Sequence, residues 1–287
     1  MAIELARFFN TSILSFDSRQ CYRELNIGVA RPSPEELAAA SHFFIASHSV
    51  QDQLSAVSFD QFAQQIIREQ FQLHDQLILV GGTGLYLRAL LEGLDEIPEI
   101  PAALRESLYL QFLQHGIKWL QKQVQETDPE FAERGEMQNP QRMLRALEVV
   151  LHTGQSIFSF HQKQQRVLPF EVLKLGLDLP RNELHQRIEY RTQLMMQQGL
   201  EAEVRSVSGF FHYNALQTVG YREWIPYLEG MASREAVQQQ IVFHTRQYAR
   251  RQLTWFKRDT EINWMLPEKA SVLNWAEQKI GMNNSTN

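Results

Sequence analysis

Short apolar runs and amphipathic stretches follow one another at the start of the chain, in the order typical of α/β proteins. Residues 2–9 have apolar side chains at helical spacing, and residues 11–17 predict a short buried strand that ends at Asp17. No N-cap residue precedes this first helix, and a helix of an α/β sheet normally follows an earlier strand. Two interpretations remain: a frayed N-terminal helix, or a helix whose preceding strand and loop are missing.

A second helix and strand lie between residues 58 and 91. Residues 58–71 place apolar side chains on one helical face, with Ser58 as the candidate N-cap. Residues 76–80 predict another buried strand, which runs into Gly81-Gly82-Thr83-Gly84 and a short helix. The glycine turn therefore lies at the carboxyl end of a strand, where α/β sheets bind their ligands.

Residues 98–160 contain no convincing strand and predict a block of helices. Two helices are expected over Pro101–His115 and Ile117–Val124. Asn139 followed by Pro140 opens a third helix, which Gly154 ends. A helical block of this size inside an α/β chain indicates an insertion domain.

The α/β pattern returns after the helical block. Residues 170–179 predict a strand, and a long helix from Arg181 ends at Gly199, while a final helix is expected over Arg234–Lys257. The expected core face of the Arg181 helix consists of Leu184, Ile188, Leu194 and Met195. We therefore predict an α/β core formed by residues 1–97 and 165–287, with an all-helical insertion domain at residues 98–164.

Composition narrows the class of protein. Twenty-eight Lys and Arg residues against 33 Asp and Glu give a net charge of −5 over 287 residues, and 44% are hydrophobic. This composition excludes general disorder and argues against a generic nucleic-acid binder, although not against a local basic patch. The chain has neither an apolar run near the roughly 18 residues that span a membrane nor a signal peptide. A single cysteine, Cys21, excludes an internal disulfide, so we expect a cytoplasmic protein.

Two loops at strand ends carry candidate chemistry. In Asp17-Ser18-Arg19-Gln20 the carboxylate could accept a proton or hold a metal, or it could simply cap the next turn. The glycines at 81–84 could let backbone amides approach an anion, or they could be needed for steric reasons alone. Neither loop matches G-x-x-x-x-G-K-S/T or G-x-G-x-x-G, and the scattered histidines lack metal-ligand spacing.

Clustered cations provide the remaining signal. Residues 241–258 contain five basic residues and no acidic one, and Tyr248, Trp255 and Phe256 interleave with the basic residues. This pattern indicates either a nucleic-acid footprint or a solvated helix whose aromatic side chains pack inward. Arg142 with Arg145, and Arg187 with Arg191, are further pairs at helical spacing that could face phosphates or form surface ion pairs.

Six runs of residues, in a fixed order, together resemble the tRNA dimethylallyltransferase (tRNA isopentenyltransferase) family of bacterial type. The runs are SFDSRQCYRELNIGVARPS, ILVGGTGLYLRALLEG, NPQRMLRALEV, LHQRIEYRTQLMMQQGLEAEV, TVGYRE and TRQYARRQLTWFKR. The resemblance implies a P-loop NTPase-like parallel sheet core with a helical insertion, and nucleotide binding, ATP included. It implies transfer of a dimethylallyl group from dimethylallyl diphosphate to the exocyclic amine of the adenine 3′ of the anticodon, in tRNAs that read codons beginning with U. Mg²⁺ is the implied cofactor, and the enzyme is expected to act as a monomer away from membranes.

The resemblance also implies roles for individual residues. Asp17 matches the general base, Arg191 the arginine that handles the diphosphate, and Thr83 a residue at the reaction channel. The positions that match tRNA-contacting ones are Asp17, Ser18, Arg19, Gln20, Arg105, Gln141, Arg142, Met143, Leu144, Arg145, Thr218, Gly220, Tyr221, Arg222, Arg250, Arg251 and Lys257. The adenine is expected to flip out of its base stack to reach a buried channel.

One feature of the family is absent from the sequence. Family members carry a G-x-T-x-x-G-K-S/T loop, which cradles the diphosphate and supplies a Mg²⁺ ligand, just before the helix that begins here at Met1. The metal ligands therefore stay unknown. We expect a start codon assigned too late, and no dimethylallyl transfer by the chain as written. Two other classes stay open: an adenylate isopentenyltransferase, whose acceptor is a free nucleotide, and a non-catalytic tRNA-binding relative.

Overall fold

The computed structural model describes residues 1–161 and 166–284. Cα distances divide the chain into a core unit, Met1–Leu91 with Leu168–Asn287, and a helical unit, Glu92–Val167. The elements in chain order are α1 (Ala2–Phe8), β1 (Ile13–Ser15), α2 (Pro34–Ala39), β2 (His42–Phe43), α3 (Ala56–Gln70), β3 (Ile78–Val80), α4 (Gly84–Glu92), α5 (Ala102–Thr127), α6 (Pro129–Arg134), α7 (Pro140–Thr153), β4 (Leu175–Leu177), α8 (Arg181–Gln197), α9 (Leu200–Ser206), α10 (Ile225–Leu228), α11 (Arg234–Phe256), β5 (Asn263–Met265) and α12 (Lys269–Asn284). This order of parallel strands and helices confirms the predicted fold class.

The strands of the core unit form two parallel sheets. The first has the order β2-β1-β3, so that Leu14 of β1 lies between Phe43 and Leu79. The second pairs β4 with β5 in parallel. Within the described residues no strand pairs with the outer edge of β3 or of β4, and Val80 and Leu177 are exposed there. The strand predicted at 76–80 is present as β3, but it is half-buried to exposed rather than buried, because it is an edge strand.

Aromatic packing fixes α3 and α4 against the first sheet. The rings of Phe59 and Tyr86 stack with centroids 4.6 Å apart, and Phe44 contacts both rings edge-on. All three residues are buried. Because Tyr86 lies in the first turn of α4, this cluster also fixes the position of the glycine loop that precedes it.

Local signals predicted most helix ends but not all of them. Helix α3 begins with a capping box in which Ser55, rather than Ser58, is the N-cap, and Ser58 occupies the third helical position. The buried face of α8 consists of Ile188, Thr192 and Met196, which is rotated from the predicted face. The strand expected over residues 170–179 is limited to β4, and α11 is followed by a further strand and helix. The predicted core face and the final-helix assignment are therefore corrected.

The described part of the helical unit contains no strand, as the sequence predicts. Gly116 breaks α5 with a φ of 72°, at the position where two separate helices were expected. In α7 the Asn139 side chain accepts from the amides of Gln141 and Arg142, and Gly154 ends the helix with a φ of 71°. No helix within the described residues is long and apolar enough to cross a membrane.

Candidate active site

Asp17 lies two residues after β1, the central strand. Its Oδ1 accepts hydrogen bonds from the backbone amides of Arg19 at 2.8 Å and Gln20 at 3.2 Å. This geometry is an Asx turn, so the capping role considered for Asp17 is real. Among the described residues no donor is bonded to Oδ2. One oxygen therefore holds the turn, and the other is available to accept a proton.

The side chains of Arg19 and Gln20 bind other parts of the core unit. The Arg19 guanidinium donates to the carbonyl oxygen of Asn214 at 2.8 Å and to its Oδ1 at 3.1 Å. The Gln20 amide donates to the carbonyl oxygens of Val29 at 3.3 Å and Ala30 at 3.0 Å. These bonds fix the Asp17 turn from both sides. The expected tRNA contacts of Ser18, Arg19 and Gln20 stay predictions.

Thr83 joins the glycine loop to the Asp17 turn. The Ser18 amide donates to Thr83 Oγ1 at 3.0 Å, and Thr83 Oγ1 donates to Ser18 Oγ at 3.2 Å. The Thr83 carbonyl oxygen also accepts the amides of Tyr86 and Leu87 at the start of α4. Because β1 and β3 are parallel neighbours, their carboxyl ends meet at one edge, where the sequence predicts these residues to lie.

The glycine loop packs against α11. A Cβ atom on Gly82 would lie 2.0 Å from Gln252 Nε2, and one on Gly84 would lie 2.1 Å from Trp255 Nε1. The Gln252 side chain also donates to the Gly82 carbonyl oxygen at 3.0 Å. The steric interpretation of the glycines is therefore correct at both positions. Gln252 was not among the predicted site residues, although Gln252 lies on one helical stripe with Tyr248 and Trp255, at i, i+4 and i+7 spacing.

Tyr248 lies next to this contact, at the surface of the candidate site. Its ring is 40% exposed, and its hydroxyl lies beside the side chains of Thr83 and Gln252. Burial by neighbouring atoms raises the pKa of the Tyr248 hydroxyl, and the charge of Asp17 raises it further. The inward packing considered for the aromatic residues of α11 is thus found for Trp255, against the glycine loop, and for Phe256, against the core, but not for Tyr248.

Arg191 of α8 lies within electrostatic range of Asp17. Burial lowers the pKa of its guanidinium, while the Asp17 charge acts to raise it. Arg191 as a residue is exposed, so protein atoms surround the guanidinium without closing it off from solvent. A partly desolvated cation near a carboxylate and a strand end is suited to binding an anionic leaving group.

The segment Thr218–Arg222 is held mainly by its own unit. Tyr221 is fully buried, and its hydroxyl donates to Glu203 at 2.6 Å. Gly220 is also buried, with a φ of 99°. The Tyr221 side chain therefore belongs to the core, and the tRNA contacts expected of Gly220 and Tyr221 stay predictions. Thr218 is half-buried and Arg222 is exposed, and their tRNA contacts stay predictions.

The basic residues of α11 divide into paired and unpaired ones. Arg246 binds Glu189, and Lys257 binds Asp178 at 2.8 Å while its ammonium lies over the Trp264 ring. Arg250 and Arg251 are exposed and form no ion pair with any described residue. They form the accessible cationic patch of this helix, whereas Lys257 is already neutralised.

Five predicted tRNA contacts from Gln141 to Arg145, together with Arg105, lie in the helical unit. Met143 is fully buried and Leu144 is 9% exposed, so both side chains belong to the core of this unit, and their expected tRNA contacts stay predictions. Arg142 binds Glu136 at 2.5 Å, while Arg105 and Arg145 share Glu148 at 3.7 Å and 3.1 Å. Gln141 is exposed. For these four accessible residues tRNA contact stays a prediction.

The candidate site offers few ligands for a metal ion. In the described part of the chain no group of three His, Cys, Asp or Glu side chains could hold one. The Asp17 turn supplies one carboxylate, and its Oδ1 already accepts two amides. Mg²⁺ in nucleotide sites is usually held by one or two carboxylates together with substrate phosphates. The described residues of this site therefore do not by themselves form a Mg²⁺ site, and the Mg²⁺ cofactor stays a prediction.

A family model described as IPP transferase matches residues 20–259 of the chain. A tRNA dimethylallyltransferase of Cytophaga hutchinsonii is 40% identical, over 98% of this chain and 92% of that protein. The crystal structure of a tRNA delta(2)-isopentenylpyrophosphate transferase from Staphylococcus epidermidis is 30% identical, with a TM-score of 0.69 over 98% of this chain and 94% of that one.

A third comparison concerns the fold alone. A eukaryotic dimethylallyltransferase described as acting on tRNA has a TM-score of 0.78, over 99% of this chain and 75% of that one. Its sequence identity is 21%. At this identity the likeness shows the fold and nothing further.

Proposed function

The chain belongs to the IPP transferase family, and from this premise we propose that it transfers a dimethylallyl group from dimethylallyl diphosphate to tRNA. The acceptor is the exocyclic amine of the adenine 3′ of the anticodon, in tRNAs that read codons beginning with U. The arrangement of Asp17, Thr83 and Arg191 at the carboxyl edge of the first sheet carries the proposal.

The transfer requires a base and a site for an anionic leaving group. The amine nitrogen attacks the allylic carbon, a C–N bond forms, and the C–O bond to the diphosphate breaks. The amine loses a proton, which Asp17 Oδ2 accepts. Arg191 stabilises the negative charge that grows on the leaving diphosphate, and the partial desolvation of its guanidinium strengthens this interaction.

The tRNA is held largely through its phosphates. Arg250 and Arg251 are accessible on α11, the helix whose Gln252 contacts the glycine loop. Phosphate contacts of this kind fix the register of a nucleic acid without reading its sequence. The adenine then leaves its base stack to reach Asp17. Unstacking costs about a few kcal/mol, which contacts between the flipped adenine and the protein must offset.

The alternative acceptor is a free adenine nucleotide. The two relatives of 30% identity or more that are compared above are named as enzymes of tRNA, which supports tRNA as the acceptor. The unpaired cations on α11 also support tRNA as the acceptor, because a mononucleotide in the site is too small to contact cations along a helix as well.

The experiment measures incorporation of a labelled dimethylallyl group into unmodified tRNA and, in parallel, into adenosine monophosphate. A tRNA with guanine in place of the adenine 3′ of the anticodon is the control. The assay uses the 287-residue chain beside a version extended by the strand and phosphate loop of the family. We expect label only in the adenine-containing tRNA. That the phosphate loop is needed stays a prediction. Transfer by the extended version, but not by the 287-residue chain, would support it.

Two outcomes contradict the proposal. Label in adenosine monophosphate but not in tRNA supports the free-nucleotide alternative. Failure of both versions to label any acceptor, while tRNA still binds, supports a non-catalytic tRNA-binding protein.

A further inference from the structure

Glu203 of α9 is the centre of a hydrogen-bond network that the reaction described above does not use. Its Oε2 accepts from the amides of Asn26 at 3.1 Å and Ile27 at 2.8 Å. Its Oε1 accepts from the amide of Gly28 at 2.9 Å and from the Tyr221 hydroxyl at 2.6 Å. Four donors therefore occupy both oxygens, and two segments distant in sequence are joined by one carboxylate.

The loop that Glu203 binds also holds the Asp17 turn. Within this loop the amide of Ala30 donates to the carbonyl oxygen of Ile27, and the same turn presents the Ala30 carbonyl to Gln20 Nε2 at 3.0 Å. The backbone amide of the same residue, Gln20, donates to Asp17 Oδ1. A continuous chain of hydrogen bonds thus leads from Glu203 to the candidate base.

This loop needs an external anchor. Ala30 has a φ of 50°, a region that residues with a Cβ atom rarely adopt. Consecutive amides that point to one side form an anion-binding nest, and here a carboxylate of the same unit occupies it. The Tyr221 ring completes the contact, because a Cβ atom on Gly28 would lie 2.6 Å from it.

We propose that Glu203 is a positioning residue for the reaction: it holds the Asn26–Gly28 amides and thereby fixes the orientation of Asp17 through Gln20. The inference rests on the proposed function for its catalytic consequence, but not for the network itself. Glu203 touches neither the base nor, in this arrangement, the substrate. Its contribution is the geometry of a turn, and small displacements of reacting groups can cost up to a hundredfold in rate.

The test is Glu203→Gln, which keeps the size of the side chain and replaces one acceptor oxygen with a donor. Glu201→Gln is the matched control: it lies on the same helix and accepts from a tyrosine hydroxyl, Tyr227, at 3.0 Å, but its partners lie outside the Asp17 network. Circular dichroism checks that both variants fold. Hydrogen exchange is then measured at the amides of residues 19–20 and 26–28.

In Glu203→Gln we expect exchange at Asn26, Ile27 and Gly28 to accelerate about tenfold or more, and exchange at Arg19 and Gln20 to accelerate with it. Glu201→Gln should leave all five amides at their original rates. In whichever version transfers the dimethylallyl group, the single-turnover rate should fall about tenfold, while the Kd for tRNA changes less than about threefold.

Faster exchange at residues 26–28 with unchanged exchange at Arg19 and Gln20, or an unchanged transfer rate, would overturn the proposal. If Glu203→Gln does not fold, Tyr221→Phe replaces it, since this change removes one of the four donors and keeps the ring on Gly28. Faster exchange at Gly28 and Gln20 is then expected, and unchanged exchange overturns the inference. Absence of transfer by both unsubstituted versions, the 287-residue chain and the extended one, contradicts the proposed function but leaves the exchange result decisive for Glu203.

Discussion

Replacing Asp17 with Asn separates the two roles of this side chain. The amides of Arg19 and Gln20 both donate to Oδ1, and the carbonyl oxygen of an asparagine can accept both bonds. The second oxygen, Oδ2, becomes an NH₂ group that cannot accept a proton. Asp17→Asn should therefore keep the turn and remove the base.

The expected loss follows from what a base contributes. A positioned general base usually accelerates proton transfer by about 10² to 10⁴, which corresponds to roughly 3–5 kcal/mol in the activation free energy. Because the Asx turn and its neighbour Thr83 are retained, the Kd for tRNA should change by no more than a few-fold. The chemical step should slow by about a hundredfold or more.

The assay is single-turnover transfer of labelled dimethylallyl diphosphate with enzyme in excess, together with a separate titration of tRNA binding. Asp52→Asn is the control, since Asp52 also caps a turn, accepting from the Ser49 amide at 2.8 Å, and is exposed. A near-normal rate in Asp17→Asn would refute the assignment of the base. Equal losses in both variants would show that the effect comes from turn stability.

Three further predictions test the binding helix, the glycine loop and the buried thiol. Changing Arg250 and Arg251 together to Ala should reduce the salt dependence of tRNA binding by about one unit of slope per lost phosphate contact, measured by titration at several salt concentrations; an unchanged slope would mean that they touch no phosphate. Gly84→Ala would place a Cβ atom against the Trp255 indole, which must then move, and should cost about 1–3 kcal/mol in urea unfolding, whereas an unchanged midpoint contradicts this packing. Burial raises the pKa of the Cys21 thiol to about 12, so at pH 8 iodoacetamide should alkylate it only in unfolded protein. The contribution of the buried Cys21 thiol to the free energy of unfolding is complete below pH 8.5, about the pKa of a thiol in the unfolded protein, and is lost as pH rises toward 12. Rapid alkylation of folded protein at pH 8 would contradict the burial of this thiol.

The parts of the fold that depend on local chemistry could be predicted from the sequence. Asn139 and Gly154 set the ends of α7, because capping and left-handed glycine are properties of a few neighbouring residues. The two-residue strand β2 gave no such signal, since only its pairing with β1 defines it. The exposure of β3 also escaped prediction, because an apolar run does not reveal whether a strand lies at the edge of its sheet.

The candidate site shows the same limit. Asp17 and Thr83 could each be placed at a strand end, but their contact through Ser18 spans 65 residues and depends on the strand order. Glu203 and Gln252 were not predicted, because both bind main-chain groups, which leave no pattern in the sequence. The accessible and the buried members of a matching run also cannot be separated without packing, as Met143 and Tyr221 illustrate.

The contact between α11 and the glycine loop connects the helix that is proposed to bind tRNA with the loop that lies beside the candidate base. Arg250 and Arg251 lie on the same helix as Gln252, whose side chain binds the Gly82 carbonyl oxygen, and Thr83 follows directly. A shift of this helix on binding phosphates would therefore move the loop that holds Thr83 against the Asp17 turn. Any larger residue at position 82 or 84 would push α11 away from the loop, because its Cβ atom alone would clash with the side chains of α11. The glycines are thus needed because α11 must approach closely the loop that carries Thr83.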